Sequence, residues 1–594
     1  MRGGLFLMMV LGVAGASSVG CGGSGAASSD GGGGGDDDGG GGVDASAPPP
    51  MLCGDGGVAA GGPNATVPGA LSAPAPTLRN LALQWLISGD ADNDGVVTVR
   101  YRVKGQTAWA AGMPLRRVPA GTVEGHSWPS KHAGSLFDLE PGTMYEIELG
   151  LSDPDGGCEL RTLEVATRPV PVAMAGAPVR SVTPATFTAM AGAAQPGDIL
   201  ELAAGSYAGF QFPVDGAAGR PIVVRAAAGA TVTVGGEVSL IGRKFVHLVG
   251  LTINGRVRLN STEAVAIMRC TVRTTGDGII AGLRSQDLYI ADNVVTGATM
   301  WNQAALGVSG SNVGEGIAVI GPGHVIEHNR VTGFRDCLST FEDSEAIDQY
   351  SIDFIENDLA VCADDGVEAD FCEHDCRVVR NRLTNVFIAL SSQPGLGGPN
   401  YFVRNVAYNV LLSPFKLNRG SVGDVALHNT VIKNGDALAI ASGVPHLRQY
   451  FRNNLLIGGP GGTYNTWNTG TGRVIEARDA DGSGDYDFDG FGSTTGMFQG
   501  RLGTVAFANL AALRAGTTEK HAVEVALADF AASVTYPGTP FPALTAPDLR
   551  LKAGGAAEDQ GVVIANINDG FAGAAPDLGA LERGAAVPVY GPRP

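Results

Sequence analysis

The sequence predicts an all-β chain, a small antiparallel sandwich followed by a long parallel β-helix. Three observations carry that prediction. Strand-like runs in the second half return mostly every 20 to 24 residues, most of them ending near an asparagine. Runs in the first half alternate apolar and polar residues between turn sequences, as half-buried antiparallel strands do. The repeats show no helical periodicity, which sets aside a leucine-rich or all-helical solenoid.

At the N-terminus, Arg2, an apolar core from Leu5 to Ala14 and small residues after it read as an export signal over residues 1–21. Ser18-Val19-Gly20-Cys21 resembles a bacterial lipobox, which marks Cys21 for lipidation and anchors the protein to a membrane. Residues 22–73, rich in Gly, Asp and Pro, read as a flexible tether. The expected location is therefore outside the cytoplasm: an outer-membrane or cell-surface lipoprotein, or a secreted protein. A net charge of −19 argues against nucleic acid as partner. Seven cysteines remain after Cys21, and any six of them allow about fifteen pairings. The favoured set is Cys53–Cys158, Cys337–Cys362 and Cys372–Cys376, with Cys270 as a buried thiol.

Residues 74–170 carry VVTVRYRV and MYEIELGL between the turn sequences DNDG, EPGT and DPDGG. This is the pattern of a small sandwich. FDLEPGTMYEIELGLSDPDG, with Leu139, Pro141, Gly142 and Tyr145, resembles the corner of a fibronectin type III domain, and VTVRYRVKGQTAWAAGMPL resembles its central hairpin. DADNDG, from Asp90 to Gly95, has the carboxylate spacing of a calcium loop, but Tyr101 stands where the closing acid belongs. It reads as a hairpin turn.

Further on, FVHLVGLTI, AVAIMRCTV, DLYIADNVV and six later runs align on Gly250, Cys270, Asn293, Asn329, Asn357, Asn381, Asn405, Asn429 and Asn453. Inward asparagines on successive coils stack their amides into a hydrogen-bonded ladder. Ahead of these repeats, the segment from Thr183 to Ala226 resembles the N-terminal cap of pectate-lyase-like right-handed β-helices, above all the chondroitinase B and alginate lyase family. Pro196-Gly197-Asp198, Gly205-Ser206-Tyr207 and Arg220-Pro221-Ile222 carry the likeness. The resemblance implies a right-handed parallel β-helix over residues 177–585, with APDLRLKAGGAAEDQG and APDLGALERG as closing coils. It specifies fold better than chemistry, because this fold serves lyases, hydrolases, epimerases and adhesins.

The stretch DDGVEADFCEHDCRVVRN, residues 364–381, is the acidic exception in the repeat. Counting thirteen places back from Asn381, Asn405 and Asn429 sets Glu368, Ser392 and Lys416 in one outward column, with Asp370 and Asn418 beside it. Glu368-x-Asp370 resembles the acidic pair that holds Ca²⁺ in related lyases, where a lysine is the base. The resemblance implies Glu368 and Asp370 as metal ligands and Lys416 as base in β-elimination of an acidic polysaccharide, with Ser392 and Asn418 in the substrate's path. In that family the base follows the acidic pair within one coil, whereas Lys416 stands two coils on, and no partner arginine is identifiable. One place before the ladder, Arg380, Arg404, His428 and Arg452 form a basic column suited to an anionic polymer.

Two other functions fit the same residues. One is a non-catalytic, glycan-binding adhesin. The other is an inverting glycoside hydrolase using Asp364, Asp365 or Glu368. Asp365-Gly366 also reads as a turn, because Asp277-Gly278 and Glu315-Gly316 occupy similar places in other coils. Cys372-Glu-His-Asp-Cys376 has the thiols and the His374 of a metal site, but in an exported protein it reads as a disulfide-closed bulge. The loop from Asp479 to Phe491 matches a calcium loop only in Asp479, Asp481 and Ser483. A monomer is expected.

Overall fold

The structure is a computed structural model and describes residues 62–440 and 442–594. The export signal, Cys21, Cys53 and most of the tether lie outside the described residues. No helix among the described residues is long and apolar enough to cross a membrane.

The first module is an antiparallel sandwich whose seven strands run from Val67–Ser72 to Cys158–Ala166. It starts earlier than residue 74, because Val67–Ser72 pairs with Leu81–Ser88 and belongs to the sheet, not to the tether. Alternation decides its inside: Leu81, Leu83 and Trp85 meet Ile147, Leu149 and Leu151 in the core. The Tyr145 hydroxyl accepts the Glu140 N–H at 2.9 Å and fixes the corner between two strands. DADNDG is a turn: Asp90 is fully buried, pairs with Arg117 and accepts the Gly95 N–H at 3.2 Å.

The second module is a parallel β-helix. Among the described residues, one parallel sheet of 13 strands runs from Val179–Val182 to Asp485–Asp487, and a second of 17 runs from Gly205–Gln211 to Val523–Glu524. Inward Val, Leu, Ile and Phe side chains from every coil merge into one core. Each coil turns between the sheets at a non-glycine residue in the left-handed region: Glu356, Arg380, Arg404 and His428 have φ of 52° to 55°. Such a residue costs about 1–2 kcal/mol. The asparagine after it offsets that cost. Asn381 Nδ2 donates to the Phe354 carbonyl at 2.8 Å and to Asn405 Oδ1 at 3.0 Å, and the same pattern runs from Asn293 to Asn429.

The next rung is Asn454, not Asn453, because this coil is one residue longer. Asn453 takes the left-handed turn position instead, with φ 60°. Asp489 receives the amide of Asn454 and continues the column. At the other end, the Cys270 N–H donates to Asn293 Oδ1 at 2.9 Å, and its buried thiol, raised by burial to about 11, is a free cysteine.

The expected closing coils are absent from the described residues. Beyond Val523–Glu524, residues 530–594 run without strands, back along the outside of the solenoid. Phe530, Leu549, Leu551 and Leu578 pack on Val406, Ile432 and Leu455. Gly591 N–H bonds to the Glu356 carbonyl at 2.9 Å, and Arg593 pairs with Asp292 at 2.8 Å. The proline- and glycine-rich sequence there cannot supply a regular ladder, so it packs as a strap. The sandwich docks on the same solenoid through fully buried polar groups. Arg377 Nε meets Asp353 at 2.5 Å, Arg377 also donates to Ser135 Oγ at 3.0 Å, and Ser135 Oγ donates to Asp375 at 2.6 Å.

Candidate active site

The outward column begins where the 17-stranded sheet turns acidic. Its register aligns Ser339, Glu368, Ser391 and Lys416 on neighbouring strands. Ser391 replaces the expected Ser392, because irregularities in both pairings displace the count by one. Ser392 points inward instead: it is fully buried, and its hydroxyl accepts from Ser421 at 3.3 Å. Asp336, Asp364 and Asp365 join the cluster because the coils stack acid on acid. The Asp365 N–H donates to Asp336 Oδ1 at 2.7 Å. Gly366 permits this approach, since a Cβ there would lie 2.7 Å from the Ala389 carbonyl oxygen.

Lys416 sits at the centre. Its ammonium is bonded to Asp365 and stands 3.8 Å from Glu368 Oε1 and 4.0 Å from Asp370 Oδ2. Burial alone would lower its pKa, but Asp365, Asp370 and Glu368 outweigh that and hold it well above the usual lysine range. Asp370, expected to face outward, is fully buried and accepts from Ser391 Oγ at 2.6 Å and Gln393 N at 2.8 Å. Burial raises the carboxyls of Glu315, Asp364, Glu368 and Asp370 well above their ordinary values, with neighbouring carboxylates adding to the effect. Asp365 is pushed up by burial, against the pull of Lys416, to about 6.

Seven acids meet here, and Lys416 and Arg335 are their close cationic partners. Arg335 bonds Glu315 at 2.5 Å and Asp336 at 2.9 Å. The donor set fits a divalent cation. Oxygens of Glu315, Asp336 and Glu368 lie within 4.8 Å of one another, as do those of Glu342, Glu368 and Asp370. Ligands about 2.3–2.6 Å from one Ca²⁺ can be no more than about 5 Å apart. Two buried oxygens, Asp365 Oδ1 and Asp370 Oδ2, have no hydrogen-bond partner among the described residues. Glu368, shared by both trios, is the natural common ligand.

The cluster floors an open groove of about 720 Å³ walled by Phe341, Phe387, Leu412 and Trp467. Asn418 lines it and donates to Gln393 Oε1 at 3.0 Å. A second stretch of about 470 Å³ shares Lys416, Asn418 and Trp467 with it and continues toward Arg473 and Arg478.

The basic column does not form an exposed ridge. The left-handed turns hold it beneath the sandwich and the strap. Arg380 pairs with Glu356 at 2.8 Å and with Asp138 of the sandwich at 2.6 Å. Arg404 donates to the Ala580 carbonyl at 3.2 Å. His428 is fully buried, bonds to the Gly579 carbonyl, and is held well below the usual imidazole range by burial and by Arg404. Arg452 is not in the column at all; it lies over the Tyr450 ring and pairs with Asp485 at 2.7 Å.

Disulfides join Cys337 to Cys362 and Cys372 to Cys376. Cys158 is also disulfide-bonded, and Cys53, its expected partner, lies outside the described residues. His374, between the two cysteines, stacks on Tyr350 with ring centroids 4.9 Å apart and bonds to Asp375 at 2.8 Å. In the loop after residue 478, Asp479 accepts the Ser442 and Gly443 N–H groups and Asp481 accepts from Ser483, all within the protein.

No family model matches the chain, and no curated protein matches it. Among solved structures it is similar to the PL6 family alginate lyase AlyGC, at 13% identity and a TM-score of 0.33, over 56% of this chain and 50% of that one. The chain thus spans half the length of that lyase. It is also similar to the Yersinia enterocolitica family 28 exopolygalacturonase, at 10% identity and a TM-score of 0.23, over 71% of this chain and 95% of that one.

Proposed function

We propose that the protein cleaves an acidic polysaccharide by β-elimination in this groove. The observation that carries the reading is a carboxylate trio of single-cation span, set beside a lysine on the floor of an open groove. Glu315, Asp336 and Glu368, or Glu342, Glu368 and Asp370, would hold the ion. A bound Ca²⁺ would neutralise the substrate's carboxylate and so acidify the neighbouring C–H. Lys416 would take that proton, which requires that the carboxylates now holding its own proton be neutralised. Once the cation takes over Glu315 and Asp336, Arg335 would be released to face the substrate's charge, and Asn418 and Trp467 flank its path. The two disulfides support export, since they persist in oxidising compartments. With Cys21 lipidated, the enzyme would work at the cell surface on polymer from outside.

A second reading is favoured by one observation. A carboxyl raised to about 6, that of Asp365, is a fitting general acid for glycoside hydrolysis. The Glu315, Asp336 and Glu368 oxygens, within 4.8 Å of one another, are too close for the roughly 6.5–9.5 Å of an inverting pair. An inverting pair would therefore need a partner outside that trio, such as Asp364, which also lines the groove. Purified protein offered uronate polymers with and without Ca²⁺ separates the readings. Elimination gives ultraviolet-absorbing products, needs the cation and strengthens toward alkaline pH, where lysine loses its proton. Hydrolysis gives reducing ends without absorbance and fades as pH rises through about 6. Neither product from any uronate polymer would end both readings.

A further inference from the structure

The groove changes sign along its length. Its acidic end carries Glu315, Asp336, Asp364 and Glu368. Past Lys416 it continues into a third stretch of about 360 Å³ lined by Arg473, Glu476, Arg478 and Arg501. A side sheet builds that end: Leu438–Ala439, Ile475–Ala477 and Gly500–Leu502 stack in parallel, with Ala439 beside Glu476 and Glu476 beside Arg501. Arg473 and Arg478 both turn to the one carboxylate, Glu476, the second at 2.6 Å. Arg501 is exposed, and its guanidinium has no ion pair or hydrogen bond among the described residues. Three guanidiniums thus line a stretch with one carboxylate, Glu476, which two of them share, in a chain whose net charge is −19.

Such a surplus is stable on open surface, but in a groove it presents unspent cationic donors in the planar geometry that grips carboxylates. The Ala439, Glu476 and Arg501 strands follow the Lys416 strand in turn. With about 4.8 Å per stacked strand, Arg501 lies roughly 14 Å from Lys416 along the solenoid. That is the reach of a short oligosaccharide, beyond a single sugar. Trp467 lines both the acidic and the middle stretch and offers an apolar wall between them.

We propose that Arg473, Arg478 and Arg501 form a distal subsite for the carboxylates of a uronate chain, which fixes the direction in which the chain crosses Lys416. The inference rests on the reading of the groove as an acidic-glycan site, but not on turnover. A polyanion is repelled by the carboxylate end and drawn to the arginine end, so the chain enters with its anionic tail over the arginines and its reacting sugar over the cluster. Chains too short to span the gap lose this hold.

The test is calorimetric binding in EDTA, with oligogalacturonates and oligoalginates of two and six sugars as probes. One hexamer should bind wild-type protein at least tenfold tighter than its dimer, with affinity falling as salt rises. Arg501→Gln with Arg478→Gln should lower hexamer affinity about tenfold, flatten the salt dependence and leave the dimer unchanged. Arg501→Gln alone, which breaks no bond, guards against misfolding and should show a smaller loss in the same direction. Unaltered hexamer affinity in the double variant would overturn the proposal, as would failure of both hexamers to bind wild type. Arginine-dependent hexamer binding without cleavage of any polymer would uphold the subsite and remove the lyase. Cleavage with arginine-independent binding would do the reverse.

Discussion

Two columns of polar side chains climb the same solenoid on opposite terms. The asparagine ladder is neutral and interior, and from Asn293 to Asn454 each amide is bonded within the stack. The carboxylate column stacks Glu315, Asp336 and Asp365 on successive coils, with Glu368 and Asp370 beside it on the Asp365 coil, and it is acidic and self-repelling. It leaves Asp365 Oδ1 and Asp370 Oδ2 buried without hydrogen bonds among the described residues. Both arise from the same stacking rule, in which a residue type repeated at one place per coil meets its own kind. Satisfied, that rule stabilises the fold; unsatisfied, it stores local conflict of the kind expected at a functional site.

The largest effect should separate the columns by activity. Glu368→Gln or Lys416→Ala is expected to cut turnover of a uronate polymer at least about 100-fold, the lower range for losing an acid–base group. Asn405→Leu should leave kcat intact in the folded fraction. Initial rates at matched folded protein decide it, and equal losses in both columns would erase the distinction.

Stability should divide them by sign. Asn405→Leu strips partners from Val378, Asn381 and Asn429 and should cost on the order of 3 kcal/mol in urea unfolding. Glu368→Gln removes a repelled charge and should stabilise by roughly 0.5–2 kcal/mol at pH 7. If Glu368→Gln destabilises as Asn405→Leu does, the carboxylate column is structural.

A pH titration sharpens the point. Asp365 has a folded-state pKa of about 6, above the roughly 3.9 of an unfolded aspartate. Its contribution to stability is therefore complete below about pH 4 and is lost as pH rises through 6. Millimolar Ca²⁺ should raise the melting temperature at pH 7 and have little effect at pH 4, where protons already occupy the carboxylates. A calcium shift of equal size at both pH values would place the ion elsewhere.

The smallest effect concerns the ladder's lower end. Cys270→Asn should be accepted with little change in melting temperature, because the thiol already lies 3.9 Å from the Leu248 carbonyl that an amide could reach. A large loss would show that the stack cannot be extended there.

The solenoid was legible because its signal is a period. A recurring asparagine after β-branched runs announces stacked coils, and one extra residue before Asn454 was enough to slip the count to Asn453. The same slip, from irregular pairing after Val386, exchanged Ser391 for Ser392. Glu368 and Lys416 fall on one column because their spacing follows the ruler, whereas Asp370, expected outward beside them, is buried. Asp336 and Arg335 were missed, and Glu315 was read only as a turn, because an acid next to glycine repeats as a turn would. Only the pairing of Glu315 with Asp336, and of Asp336 with Asp365, reveals a cluster. The basic column failed for another reason: outwardness was inferred along one coil, while the strap and the sandwich that cover it come from distant sequence.

That strap changes how the molecule comes apart. A solenoid whose coils touch only their neighbours frays from its ends, one coil at a time. Here Arg593 grips Asp292 across 301 residues of chain, and Gly591 is tied to Glu356. Pulling a terminal coil loose must therefore also break bonds several coils inward, so unfolding becomes closer to all-or-none. During vectorial synthesis the coil at Asp292 leaves the ribosome 301 residues before its clasp. Until then it is a half-closed array, exposed to proteases and to pairing with other chains.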